Sequence, residues 1–137
     1  MDRAEALARL ESSPIAYLAT TRPNGGPHLV PVTFAIDAGR IVHMVDHKPK
    51  STTRLQRLIN IEANPRASLL VDHYNDDWAR LWWVRVDGLA RIVQEGPDWE
   101  TARGSLTSKY HHYQDRPPQG PAIFINVEQI TGWVGSG

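Results

Sequence analysis

Lys48, Lys50, Arg54, Arg57 and Arg66 fall within nineteen positions that hold a single acid, Glu62, in a chain of 137 residues whose formal net charge is zero. Cations gathered in an otherwise balanced sequence predict a local anion site. The spacing gives that site a shape. A helix begun near Ser51 advances by ~100° per residue and brings Lys50, Arg54 and Arg57 onto one narrow stripe, with Leu55, Leu58 and Ile59 on the neighbouring face. Ser51, Thr52 and Thr53 are suited to cap its first turn, where free N–H groups carry partial positive charge. Backbone, hydroxyls and side chains would then hold a phosphate together. The competing reading of the same residues is a solvated basic helix face.

Other chemistries are poorly provided for. The chain has no cysteine, which removes disulfides, thiolate nucleophiles and Cys-ligated metals. No G-x-G-x-x-G or G-x-x-x-x-G-K fingerprint occurs, and no G-x-S-x-G elbow. Among six histidines, His43 and His47 lie on an expected strand ~13 Å apart, too far to share an ion, so no metal site is expected. His111 and His112 are neighbours in an expected loop. The run Asp72 to Asp77 (DHYNDD) offers acid and base groups, but such clusters between strands are commonly turns with self-bonded Asp and Asn. Trp82 and Trp83 are adjacent on an expected strand and must face opposite sides. One belongs to the core, and the other, with Trp78, faces a flat ring, a groove or a partner subunit.

The elements that must position these residues follow from pattern. Residues 2–12 have helical spacing, stopped by Ser12-Ser13-Pro14. Residues 15–21 and 28–36 read as strands around a tight turn at Asn24-Gly25, and 41–45 as a third, giving a meander before a basic helix of about 51–63 that Asn64-Pro65 ends. A fourth strand covers 67–71, a polar loop 72–79, and a long strand 80–93, where Gly88 marks a bend or bulge. Pro97 opens a helix to about Tyr110. A proline-rich loop spans 111–121, and a last strand 122–133. About six strands joined mostly by short turns predict one mainly β domain, α+β in class, an antiparallel barrel with helices packed outside.

The whole of residues 1–137 is expected to be a single domain. Balanced charge predicts no nucleic-acid partner, and the absence of ~20 consecutive apolar residues predicts no membrane span, so a cytoplasmic location is expected.

Residues 18–34 (LATTRPNGGPHLVPVTF) resemble the opening hairpin of the pyridoxamine 5'-phosphate oxidase-like split-barrel family, and residues 57–72 (RLINIEANPRASLLVD) resemble its second signature, a basic residue, then Asn60, then Asn-Pro-Arg before a strand. Residues 47–55 (HKPKSTTRL), with 72–78 (DHYNDDW) and 81–85 (LWWVR), are similar to an actinobacterial subgroup assigned to the deazaflavin coenzyme F-420. The resemblance implies a six-stranded, Greek-key FMN-binding split β-barrel, built as a homodimer that holds the deazaflavin, or alternatively FMN, in grooves between subunits. It places the phosphate on Lys50, Arg54 and Arg57, with Lys48, Ser51, Thr52, Thr53 and Asn60 beside them. It lays the ring along Val32, Thr33 and Phe34, with Trp83 or Trp78 closing the pocket from the partner chain. The implied activity is an oxidoreductase in which the cofactor passes a hydride to or from a small molecule, with no side-chain nucleophile, and His73 or Tyr74 is a candidate proton donor. A non-catalytic carrier of the deazaflavin and an adaptor domain without a small ligand are the rival readings.

Overall fold

The computed structural model describes residues 1–46 and 55–136. Helix α1 spans Arg3–Ser12, with Asp2 as its cap, the carboxylate accepting the Glu5 N–H at 2.8 Å. Strands β1 (Ala16–Thr21) and β2 (Pro27–Val32) form the expected hairpin. Of the turn pair, Gly25 alone takes the positive φ, +90°. Then come β3 (Ala35–Asp37), β4 (Arg40–Met44), α2 (Gln56–Ala63) and β5 (Arg66–His73). A 3-10 turn at Trp78–Arg80 leads into β6 (Trp82–Val93). Helices α3 (Pro97–Lys109) and α4 (His111–Asp115) precede β7 (Ala122–Val134).

All strand pairs are antiparallel, in the order β2-β1-β5-β6-β7-β4-β3. The two edge strands, β2 and β3, are consecutive in the chain and separated by Thr33 and Phe34 alone. Three Cα steps cover at most about 11 Å, so the sheet must curl until its edges meet. The result is the expected α+β barrel with flanking helices, split at the seam between β2 and β3. The sequence predicts residues 28–36 as one strand of a meander; they instead change edges, β2 pairing with β1 and β3 with β4, which gives seven strand segments among the described residues where about six are expected.

The seam has a physical cause. At Phe34 the backbone leaves the ladder while the residue stays fully buried, and unpartnered buried amides are costly. The Tyr110 phenol supplies the missing partner: it accepts the Phe34 N–H at 3.1 Å and donates to the Pro14 carbonyl at 2.8 Å, with the Phe34 carbonyl 3.0 Å away.

The barrel interior holds Leu10, Leu18, Phe34, Leu58, Leu69, Val84, Val86, Ile123 and Ile125. A second cluster, including Val42, Met44, Leu106, Tyr113 and Phe124, packs α3 and α4 on the outer face of β4 and β7. Strand β4 is therefore buried on both faces, and His43, in phase with Ile41, points inward. Trp82 packs on the core, with the Arg9 guanidinium 4.8 Å from its ring centroid and His73 stacked at 5.7 Å. The expected bulge falls between Asp87 and Gly88, where a Cβ would collide with the Asn126 carbonyl. Two expectations need correcting. Helix α2 begins at Gln56 with Leu55 as an extended N-cap. It carries Arg57, buries Leu58 and Ile61 and leaves Ile59 partly exposed, while Lys50 and Arg54, the rest of the expected stripe, lie outside the described residues. Residues 111–115 are helical rather than loop, because Tyr113 is drawn into the cluster under α3.

Candidate functional site

A cavity of about 470 Å³ opens at the seam, within the range of roughly 300–1,000 Å³ usual for small-molecule sites. Its apolar wall is Ile15, Pro31, Val32, Met44, Val45 and Leu55; its polar groups are Thr33, His43, Asp46, Arg57 and Tyr113. Five different segments converge: the entry to β1, the end of β2, the end of β4, the first turn of α2, and α4.

The polar groups are hydrogen-bonded to one another. Thr33 is the hub: its carbonyl oxygen lies 2.8 Å from His43 Nδ1, and its hydroxyl 2.8 Å from the Tyr113 phenol. The Tyr113 hydroxyl donates to Asp46 Oδ1 at 2.6 Å. Arg57 Nη1 lies 2.8 Å from His43 Nε2. Burial, seconded by the Arg57 charge, lowers the His43 pKa to about 4, against smaller opposing effects of the Thr33 carbonyl and Asp46. Burial also pulls Arg57 below the ordinary arginine value, and Asp46 opposes it; a guanidinium nevertheless keeps its proton in proteins. Burial and the Asp46 carboxylate push Tyr113 up to about 12, so its phenol is a fixed donor at neutral pH. Among the described residues no carboxylate lies within ion-pair distance of Arg57. The site therefore offers a half-buried cation beside an apolar wall.

Of the residues singled out from sequence, Val32, Thr33 and Arg57 meet here. Lys48, Lys50, Ser51, Thr52, Thr53 and Arg54 lie outside the described residues. Asn60 does not join the cavity: it is fully buried, donates to Thr20 Oγ1 at 3.0 Å and accepts from Gln56 at 2.7 Å, which ties α2 to β1. Phe34 turns its ring into the core, and Tyr110 takes its N–H. Trp78 is 65% exposed, and neither it nor Trp83 lines this cavity. His73 is stacked on Trp82 and Tyr74 is exposed, and neither lines the cavity. Sequence reasoning missed the roles of His43, which it weighed only as a metal ligand, and of Asp46, Tyr110 and Tyr113. The inward phase of His43 beside Ile41 was the available signal for one of them.

Trp83 lies on the outer sheet face, as its opposition to Trp82 requires. There it lines an open trough of about 600 Å³ with Tyr17, Leu29, Leu70 and Arg85. The Arg85 guanidinium sits 5.6 Å from the Trp83 ring centroid and pairs with Asp87 at 3.1 Å. Leu29 is 66% and Tyr17 40% exposed, and Pro31, opposite Tyr17 in the ladder, belongs to the seam cavity, so the apolar face and the cavity are continuous. No helix among the described residues is long and apolar enough to cross a membrane.

A family model described as pyridoxamine 5'-phosphate oxidase matches residues 3–134. No curated protein matches the chain. Among solved structures, a conserved hypothetical protein from Mycobacterium tuberculosis is similar at 26% identity, with 98% of this chain and 85% of that one covered and a TM-score of 0.80. A FAD-binding protein from Mesorhizobium loti is 19% identical over 100% of this chain and 96% of its own, with a TM-score of 0.78. A heme binding protein from Mycobacterium smegmatis is 21% identical over 97% of this chain, which spans 54% of it, with a TM-score of 0.79.

Proposed function

Because the chain belongs to the pyridoxamine 5'-phosphate oxidase family, we propose that it is an oxidoreductase that holds a phosphate-bearing flavin at the seam of its barrel and acts on a small molecule. The observation that carries this is Arg57, a cation facing an apolar-walled cavity with no carboxylate of the described residues paired to it. That is the donor chemistry a phosphate requires, next to the flat surface a ring requires. The FAD-binding relative of the same fold favours flavin mononucleotide or a related flavin. The deazaflavin F-420, to which residues 47–55 and 72–78 are similar, offers the same ring and phosphate and is the alternative cofactor.

When bound, the flavin supplies the hydride chemistry. The chain's own residues bind and orient it: Arg57 anchors the anion, Val32 and Pro31 back the ring, and Thr33, Tyr113 and Asp46 form a fixed polar edge. A second copy docked on the Tyr17–Leu29–Trp83 face would close the cavity from outside, because that face is apolar, aromatic and continuous with the Pro31 wall. Fluorescence titration of the protein with FMN and, in parallel, F-420, followed by assay of hydride transfer from the bound cofactor, tests the reading. Saturable FMN binding with turnover supports it. Selective F-420 binding moves the assignment to the deazaflavin, binding without turnover to a carrier, and binding of neither overturns it.

A further inference from the structure

We propose that His43 is the positioning residue of the anion anchor: as a neutral imidazole bridging the Thr33 carbonyl and Arg57, it aims the guanidinium at the cavity without cancelling its charge. The inference rests on the reading of Arg57 as a phosphate ligand.

The partners dictate the tautomer. A carbonyl oxygen only accepts, so Nδ1 carries the proton; an arginine N–H only donates, so Nε2 presents its lone pair. Both ring nitrogens are therefore used, at 2.8 Å each, on a side chain that is 5% exposed. Protonation would turn Nε2 into a donor facing a donor and add a second buried cation, and burial and Arg57 both oppose it. Among the described residues, the charged groups that bear on the ring are Arg57 from α2 and Asp46 just beyond β4.

The choice of residue has a consequence. A carboxylate in this place would orient Arg57 equally well but would neutralise it, and a neutral site has little attraction for phosphate. Imidazole fixes one of the five guanidinium N–H groups and leaves the positive charge intact. The nearby carboxylate, Asp46, acts on Arg57 through space without an ion pair, and its Oδ1 accepts the Tyr113 phenol at 2.6 Å. Thr33, at the seam, supports both arms, its carbonyl on His43 and its hydroxyl on Tyr113. The strand break therefore sets the position of the anchor as well as the opening of the cavity.

The test compares His43→Leu and His43→Gln, the latter able to donate to Thr33 and accept from Arg57. Affinities for FMN and for riboflavin, which lacks the phosphate, are measured on the full chain. His43→Leu is expected to weaken FMN about tenfold or more while leaving riboflavin nearly unchanged, and His43→Gln to restore most of the difference. Equal loss for both ligands would mean a merely structural role, and no loss for either would overturn the proposal. Nitrogen NMR of the imidazole at neutral pH gives a readout independent of any flavin: the Nδ1–H neutral form is expected, and the Nε2–H or protonated form refutes it. If the wild type binds neither flavin, the functional reading fails. The inference is then decided by the NMR and by an inorganic phosphate titration followed on the Arg57 side-chain resonances, where His43→Leu must reduce the response.

Discussion

Replacing Tyr110 by Phe removes one oxygen and nothing else from the seam. That oxygen is the acceptor for the Phe34 N–H at 3.1 Å and the donor to the Pro14 carbonyl at 2.8 Å. Phe34 is 0% exposed, so water cannot take over as the partner of its amide. Stranding one buried backbone donor costs about 1–3 kcal/mol, and the ring that packs α3 against the barrel is retained, so the loss should centre on about 2 kcal/mol. For a domain of this size that corresponds to a melting temperature lower by roughly 6–8 °C. Urea unfolding measures it, with an unchanged m-value showing that the same surface is exposed. Tyr74→Phe, at a side chain 69% exposed and outside both the cavity and the apolar face, is the control and should stay within about 0.5 kcal/mol of wild type. A Tyr110→Phe protein as stable as that control would refute the argument that the phenol is what permits the chain to change edges at Phe34.

Acid should destabilise the protein through His43. Its folded pKa of about 4 lies below the unfolded value near 6.5, so the folded form binds fewer protons; stability is full above about pH 6.5 and falls by up to about 3 kcal/mol as pH drops towards 4. His43→Gln should flatten that slope in urea titrations at pH 7.5 and 4.5, and an unflattened slope would assign it to other groups. At the alkaline end Tyr113 acts in the opposite sense: with a folded value of about 12 against about 10 unfolded, its contribution is present below pH 10 and lost as pH rises towards 12. Tyr113→Phe should lose the late-titrating tyrosinate absorbance. If the apolar outer face is the proposed subunit contact, Leu29→Asp at its centre should lower the molecular mass in light scattering from that of the proposed dimer to that of a monomer while leaving the far-ultraviolet spectrum unchanged; a mass that does not change would place any subunit contact elsewhere.

The fold was most legible where the decisive contacts are local. The Ser12-Ser13-Pro14 stop ends α1, Gly25 makes the first turn, Pro97 opens α3, and Gly88 marks the bulge, each within a few residues of the feature it causes. The seam was not legible, because residues 28–36 are rich in strand-favouring side chains, Pro31 being the one breaker among them, and the partner that lets the chain leave the ladder at Phe34 is Tyr110, 76 positions away. For the same reason α4 was hidden: His111 to Asp115 reads as polar loop until Tyr113 finds the cluster under α3. The site shows the same division. Composition pointed to α2 and to Arg57, which lines the seam cavity, and the opposed faces of Trp82 and Trp83 followed from strand geometry alone. Asn60 looked like a ligand because it stands in a signature, yet its amide is consumed by Thr20 and Gln56 inside the barrel. His43 was weighed as a metal ligand; its partners, Thr33 and Arg57, come from two other elements that only the closed sheet brings together.

The central claim is that Arg57 at the seam holds the phosphate of a flavin. The most direct measurement is the ratio of FMN to riboflavin affinity in wild type and in Arg57→Ala. A charge-assisted contact of about 1.5–3 kcal/mol predicts that wild type prefers FMN by roughly ten- to a hundredfold and that Arg57→Ala erases most of that preference with riboflavin affinity nearly unchanged. An Arg57→Ala protein that keeps the full preference for the phosphate would contradict the account.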